Sequence, residues 1–130
     1  MELEEQLKLA IDLANKYHYG QVDKSGLPYI LHPLYVMNNV DGIEAKIVAI
    51  LHDILEDTII NEQDLFICGF DLNIIKSIIA LTKIKGESYD DYLIRVKNNV
   101  LARVVKLADL SHNMDTVSYT HLTLPTNSRV

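Results

Sequence analysis

A chain of 130 residues, 48% of them hydrophobic, can bury one core, and its length predicts a single domain. The formal net charge of −6 and the pI near 5.2 argue against nucleic acid as a partner, because counterion release needs a basic surface. The single Cys68 excludes an internal disulfide and favours a reducing, cytoplasmic location. No apolar run reaches the roughly 18 residues of a membrane span, and the acidic N-terminus does not resemble a signal peptide, so we expect no membrane association.

The first part of the chain alternates helix, loop and helix. Apolar residues at helical spacing predict a helix over residues 2–19. Glycine, serine and proline then predict a loop over residues 20–31. His32 and Pro33 begin a short helix that runs to about Val40, because proline suits the first turn of a helix.

Capping signals mark the starts of later helices. Asp41 followed by Glu44 predicts a capping box for a central helix, and Asn61 followed by Asp64 predicts one for a short helix near residues 62–68.

Three further helices follow. Asp71 caps the first of them, whose apolar side chains we expect to be fully buried (Leu72, Ile75, Ile78, Ile79 and Leu81). Ser88 begins the next helix, and a bend near residues 98–99 separates it from a last helix reaching about Asn113. With no strand pattern, the sequence predicts an all-α fold, a compact bundle of about six or seven helices.

The end of the chain has a different composition. Four threonines occur between Thr116 and Thr126, whereas the preceding residues hold only Thr58 and Thr82. We therefore expect the domain to occupy residues 1–117. Residues 118–130, which lack a helical period, would be a flexible tail or foreign sequence from cloning or read-through.

The functional interpretation depends on residues 47–58. Read as one continuous helix, this stretch and the preceding turn place large apolar residues on one side (Ile43, Ile47, Ile50, Leu51, Ile54 and Leu55). The other side groups an imidazole with three carboxylates (His52, Asp53, Glu56 and Asp57). Charges this close perturb one another's pKa values unless a cation lies among them. The alternative, a solvated acidic helix end, is disfavoured by the apolar flanking turns.

Two other stretches offer further metal ligands. His32 lies at a helix start, and Asp109 lies on the last helix. With His52 and Asp53 they supply two imidazoles and two carboxylates, a donor set that suits Mn²⁺, Fe²⁺ or Zn²⁺. The side chains of neighbouring residues on one helix point about 100° apart. His52 and Asp53 could therefore both bind one ion only if the ion lay at the limit of the reach of each side chain.

Several of these residues also have a structural interpretation. His32 could hydrogen-bond its own loop, and Asp109 could be a buried acid paired with Lys106 or Arg103. The remaining histidines are interpreted as structural or as part of the tail (His18, His112 and His121).

Three motifs, in this order, resemble the HD superfamily of metal-dependent phosphohydrolases: P-Y-I-L-H-P at 28–33, H-D-I-L-E-D at 52–57 and L-A-D-L-S-H-N-M at 107–114. More narrowly, they resemble the alarmone-hydrolase domain of the Rel/SpoT stringent-response proteins and its small stand-alone relatives. The resemblance runs from about Leu7 to Val117 and implies an HD-type helical fold.

The resemblance also implies roles. Four residues would hold one divalent ion, usually manganese in this family (His32, His52, Asp53 and Asp109). Glu56 and Asp57 would handle the attacking water, and four positions would hold the nucleotide (Lys24, Ser25, Asn113 and Thr116). The implied reaction is hydrolysis of the 3′-pyrophosphate of guanosine tetraphosphate to GDP and pyrophosphate. Three lysines are candidates to balance the substrate's charge (Lys24, Lys83 and Lys85).

Some features depart from the family pattern. Asp23 stands where the long alarmone hydrolases commonly have an arginine, and Asp115 stands where they often have another basic residue. The family's last helices are not found in this sequence, so we expect exposed apolar surface, which favours association into homo-oligomers. Two alternatives therefore stay open: a phosphohydrolase for another nucleotide or phosphoester, and an inactive metal- or nucleotide-binding fragment.

Overall fold

The computed structural model describes the backbone of residues 1–120 and the side chains of residues 1–112. In this range the only strand-like pairing is an isolated bridge between Val22 and Pro28. Eight helical segments are present there, seven of them longer than one turn: α1 (Leu3–Tyr17), α2 (Leu31–Asn38), α3 (Ile43–Leu51), α4 (Ile54–Asp57), α5 (Glu62–Cys68), α6 (Leu72–Leu81), α7 (Tyr89–Lys97) and α8 (Val100–Thr120). The predicted all-α fold is confirmed.

α3 is the centre of the bundle and packs against α1, α2, α6 and α8. Its residues from Ile47 to Leu51 are fully buried on every face, as expected for a helix surrounded by others. Ala45 and Ala49 are buried too, and their small side chains let neighbouring helices approach. None of the described helices has both the length and the apolar character needed to span a membrane.

The central helix is not continuous, and this part of the sequence interpretation is wrong. α3 ends at Leu51, and the backbone of Asp53 has φ −106° and ψ 2°, outside the helical region. The imidazole Nδ1 of His52 lies 2.6 Å from the carbonyl oxygen of Ala49. A continued helix would use that carbonyl for the N–H of Asp53. The side chain therefore competes with the helical hydrogen bond where the chain turns into α4.

The helix starts agree with the predictions in part. Asn61 and Asp64 form the predicted capping box of α5, with Asn61 Oδ1 accepting from the N–H of Asp64 at 2.9 Å. The predicted capping box at Asp41 is wrong. The residue before α3 is Gly42, whose φ of 93° is a conformation that favours glycine, and no side chain caps the helix there.

α6 and α8 also differ from expectation. Leu72 is 53% exposed and Ile79 is only partly buried, so part of the surface of α6 faces solvent although the helix packs against α3, α5, α7 and α8. α8 continues to Thr120, past the predicted end near Asn113. Residues 121–130 lie outside the described part of the chain, so the domain boundary at 117 stays a prediction.

Three of the described helices form a mutually packed group that includes the central α3. α2, α3 and α8 pack against one another in all three pairings. Lys46 of α3 donates to the carbonyl oxygens of Met37 and Val40 at 3.1 and 2.8 Å, which fixes α3 to the C-terminal end of α2. Residues on these three helices are thereby held at fixed separations.

Candidate metal centre

Three side chains from separate helical segments converge in this region. His32 comes from the first turn of α2, His52 from the end of α3 and Asp109 from α8. One ligand atom of each lies within 4.8 Å of the others. His32 Nε2 is 2.7 Å and His52 Nε2 is 3.7 Å from the same oxygen, Asp109 Oδ1. All three side chains are largely buried, which is the arrangement needed for a shared ion.

His52 is oriented as a metal ligand would be. Its Nδ1 donates to the carbonyl of Ala49, which leaves Nε2 with a lone pair when the ring is neutral. Nε2 is buried and has no hydrogen-bond partner among the described residues. A buried polar atom without a partner is costly, and a cation beside it would remove that cost. The residues present therefore fit a divalent ion.

His32 is oriented by a residue of α8. Its Nδ1 lies 2.6 Å from Nδ1 of His112, whose ring stacks on Tyr35 with the centroids 4.0 Å apart. This contact on the far side of the ring turns Nε2 of His32 toward Asp109. The sequence pattern favours a structural role for His112, whereas its position three residues after Asp109 is the signal that could have linked it to the site.

Asp53, the fourth predicted ligand, lies beside this cluster. Its Oδ2 is 3.1 Å from His52 Nε2 and accepts a hydrogen bond from the hydroxyl of Tyr29. The break between α3 and α4 brings these neighbouring side chains together, which a continuous helix would not do. No sequence pattern assigns Tyr29 a role in the site, although it stands three residues before His32 in the P-Y-I-L-H-P motif.

The electrostatics of the cluster call for positive charge. Burial alone would lower the pKa of His52, but Asp53 and Asp109 outweigh it and raise that pKa to about 10. Burial would raise the pKa of Asp53, but His52 and the Tyr29 hydroxyl lower it to about 2. The pKa of Asp109 is likewise lowered, against burial, by its hydrogen bond to His32 and by the nearby ring of His52. The two carboxylates therefore stay ionised, and positive charge beside them, on the His52 ring or on a bound ion, is favourable.

The cluster forms part of the wall of a cavity of about 600 Å³. Three lysines line this cavity as well (Lys24, Lys83 and Lys106). Nζ of Lys106 lies 3.4 Å from Asp109 Oδ2 and 5.3 Å from the ring centroid of Tyr92. Asp109 thus pairs with Lys106 through one oxygen while the other faces the histidines, so its structural and its ligand interpretation are compatible.

The two predicted water-handling residues both lie on α4. Glu56 lines the cavity, and its Oε2 accepts from the backbone N–H of Lys83 at 3.0 Å. Asp57 is not among the cavity-lining residues. Partial desolvation, together with the charges of Asp53 and Glu56, raises the pKa of Asp57.

The predicted nucleotide-binding residues are only partly described. Lys24 and Ser25 line the cavity. Asp23 orders their loop, because its Oδ1 accepts from the N–H groups of Ser25 and Leu27 at 2.8 and 3.0 Å. Lys85 does not line the cavity. Two further predicted residues and one predicted departure have side chains outside the described range (Asn113, Thr116 and Asp115).

The fold and the site define an all-α protein with a candidate divalent-metal centre in a cavity lined by both lysines and carboxylates. No family model matches the chain. The chain is 32% identical to the guanosine-3′,5′-bis(diphosphate) 3′-pyrophosphohydrolase of Borreliella burgdorferi, over 85% of this chain and 19% of that protein. It is 35% identical to a GTP pyrophosphokinase of Streptomyces coelicolor, over 88% of this chain and 15% of that protein.

A similar match joins the chain to the bifunctional (p)ppGpp synthase/hydrolase SpoT of Escherichia coli, at 29% identity over 86% of this chain and 18% of that protein. The chain therefore spans less than a fifth of the length of these relatives. The solved structure of a metazoan SpoT orthologue that hydrolyses ppGpp has a TM-score of 0.73 and 20% identity, covering 95% of this chain and 77% of that one. The predicted resemblance to the Rel/SpoT alarmone hydrolases is confirmed, while the HD designation stays a prediction.

Proposed function

We propose that this chain binds one divalent ion, Mn²⁺ by preference, and hydrolyses the 3′-pyrophosphate of guanosine tetra- or pentaphosphate. The observation that carries the proposal is the convergence of His32, His52 and Asp109 in a cavity large enough for a nucleotide. Asp53 would complete the ligand set from the turn beside His52. The similarity to relatives that are named for this reaction supports the same substrate.

The ion, when bound, would lower the pKa of a water molecule and offset phosphate charge. Glu56 takes the proton of the attacking water, because it lines the cavity and Lys83 holds only one of its carboxylate oxygens. Asp57, one residue further on α4, helps to orient that water. Attack at the phosphorus next to the 3′-oxygen breaks that P–O bond. The pyrophosphate gains the oxygen of the water, and the 3′-oxygen takes a proton from Glu56 or solvent, so the tetraphosphate gives GDP with a 3′-hydroxyl.

The lysines of the cavity wall explain how an acidic protein could attract a polyanion. The chain carries a net charge of −6, so attraction must come from local cations, not from the overall field. Lys24, Lys83 and Lys106 provide three such charges at one cavity. A small-molecule nucleotide is therefore the proposed partner.

A single cysteine, Cys68, is typical of a chain that folds without disulfides in a reducing compartment. The proposed location of the reaction is therefore the cytoplasm.

The test combines metal analysis and a product assay on one preparation. The manganese-loaded protein should release pyrophosphate from guanosine tetraphosphate. Glu56→Gln should keep the metal and lose hydrolysis, because the amide cannot accept the proton. Glu62→Gln, on the surface of α5, is the matched control and should behave like the parent protein. A folded, metal-loaded parent protein that releases no pyrophosphate would overturn the proposal.

A second candidate is hydrolysis of another nucleotide or phosphoester. It is favoured by Asp23, which lines the cavity and places a carboxylate where a polyphosphate would be repelled. A panel of nucleoside monophosphates and other phosphoesters separates the two candidates. Turnover of these substrates without turnover of the alarmone would select the second.

A further inference from the structure

α4 carries both proposed water-handling residues, yet it is a single turn of four residues, Ile54–Asp57. Such a short helix has no stability of its own, because nucleation is unfavourable and only one or two hydrogen bonds offset it. The orientation of Glu56 and Asp57 must therefore be determined by contacts from other parts of the chain.

Gln21 makes such a contact from the loop between α1 and α2. Its Nε2 donates to the backbone carbonyl of Asp57 at 2.8 Å. Its Oε1 lies 2.9 Å from Nδ1 of His18, a side chain that is only 1% exposed. The amide therefore ties the end of α4 to a buried residue at the end of α1.

The backbone of Gln21 is fixed as well. Its N–H donates to the carbonyl of His18 at 3.0 Å, and its carbonyl accepts from the N–H of Tyr29 at 2.8 Å. The hydroxyl of Tyr29 in turn bonds to Asp53. One loop thus contacts both ends of the segment, Asp53 before α4 and Asp57 at its last residue.

We propose that Gln21 is a positioning residue that holds α4 in the orientation that the reaction requires. The proposal rests on the proposed function for its catalytic consequence. Gln21 is not among the residues that line the 600 Å³ cavity, so it would act through Asp57 and not on the substrate. Removing its amide should let α4 move while the three clustered ligands keep their places.

Gln21→Met tests this, because methionine keeps the side-chain length and removes both amide hydrogen bonds. Gln6→Met is the matched control. Gln6 is fully buried and uses its amide in the same way, to join Met1 and Asp71 at distances of 3.0–3.2 Å. None of Gln6, Met1 and Asp71 lines the cavity. Gln6→Met therefore shows what the loss of a buried amide does to the stability of the fold at a place away from the site.

Five quantities are measured on both variants: kcat and KM with guanosine tetraphosphate, bound manganese, the melting temperature, and hydrogen exchange of the peptide covering residues 53–60. In Gln21→Met we expect kcat to fall about 10- to 100-fold, with KM and manganese content unchanged and exchange in this peptide faster. In Gln6→Met we expect a lower melting temperature, with kcat and the exchange of this peptide unchanged.

Three results would overturn the proposal. An equal loss of kcat in both variants would assign the effect to overall stability. Loss of manganese in Gln21→Met would assign it to the metal centre, and unchanged exchange at residues 53–60 would show that Gln21 does not hold α4. A parent protein without alarmone hydrolysis would instead refute the proposed function, and the exchange measurement would still decide whether Gln21 fixes α4.

Discussion

At the scale of single residues, His52 uses its two ring nitrogens for two purposes. Nδ1 donates a hydrogen bond to the carbonyl oxygen of Ala49, where α3 ends, and Nε2 faces the carboxylates of Asp53 and Asp109. The hydrogen bond from Nδ1 is therefore formed at the residue where α3 ends, and it leaves Nε2 as the nitrogen that can act as a ligand. The neighbouring Asp53 approaches the same point because the chain turns between the two residues.

Asp53→Ala tests the ligand set at this scale. We expect the variant to lose bound metal and hydrolysis together, because a carboxylate beside His52 is removed. Metal content by elemental analysis and pyrophosphate release are measured on the same sample. Asp12→Ala, at an exposed position of α1, should change neither. Unchanged metal content in Asp53→Ala would remove Asp53 from the ligand set.

At the scale of elements, α4 depends on its packing as well as on its hydrogen bonds. Ile54 is fully buried, whereas Ile59, just after α4, is 85% exposed. Ile54→Ala should lower the free energy of unfolding by about 2–5 kcal/mol, because it leaves a cavity in the core. Ile59→Ala is the matched control and should change it by no more than about 0.5 kcal/mol. Equal effects in chemical denaturation would show that Ile54 does not anchor α4.

Arg95 of α7 holds the end of α6 in place through hydrogen bonds. Its guanidinium donates to the carbonyl oxygens of Ala80 and Thr82 at 3.1 and 3.0 Å and forms a two-point contact with Glu87 at 2.7 and 2.8 Å. The last carbonyls of a helix have no helical partner and carry partial negative charge, so a cation there is favourable. This contact joins α7 to α6, and one residue of each helix, Leu81 and Tyr92, lines the cavity.

A pH dependence follows from this contact. The hydrogen bonds from Arg95 lower the pKa of Glu87 below its ordinary value of 4.5. The stabilisation is therefore present above that value and is lost as the pH falls through the lower pKa of the folded state. In Glu87→Gln, unfolding stability should fall less between about pH 6 and pH 3 than in the parent protein. Parallel stability curves from denaturant titrations would contradict this.

At the scale of the whole molecule, the candidate metal centre would connect distant parts of the chain. Its clustered ligands come from α2, α3 and α8, so an ion bound there would link three helices of the folded state only. At a free metal concentration of about 100 times Kd, binding stabilises the folded protein by about 2.7 kcal/mol. The melting temperature should then rise by roughly 10 °C.

Thermal unfolding with manganese and with a chelator measures this difference. Asp53→Ala is the control, since its melting temperature should respond little to manganese. A melting temperature of the parent protein that is the same in both conditions would mean that no ion binds the folded state selectively.

The molecule also exposes apolar residues on its last two helices. Val100 and Leu107 of α8 are 65% and 63% exposed, and Ile94 of α7 is 57% exposed. Exposed apolar surface agrees with the expectation from sequence, and association through this surface stays a prediction.

The sequence by itself determined the helical composition, most helix boundaries and the residues that could hold a metal. Helical period and capping boxes involve residues that lie within a few positions of one another, so the capping box of Asn61 and Asp64 can be predicted directly. The three motifs likewise predict candidate ligands without any knowledge of the fold.

Only the tertiary structure decided how those residues meet. The turn at His52, the partial exposure of Leu72 and the contacts of Tyr29, His112 and Gln21 depend on groups that lie far apart in the chain. Side-chain pairing across helices overrides local helical preference at such positions. A sequence pattern cannot show which of the two ring nitrogens of a histidine faces a given residue, because that depends on which groups tertiary packing brings within hydrogen-bond distance.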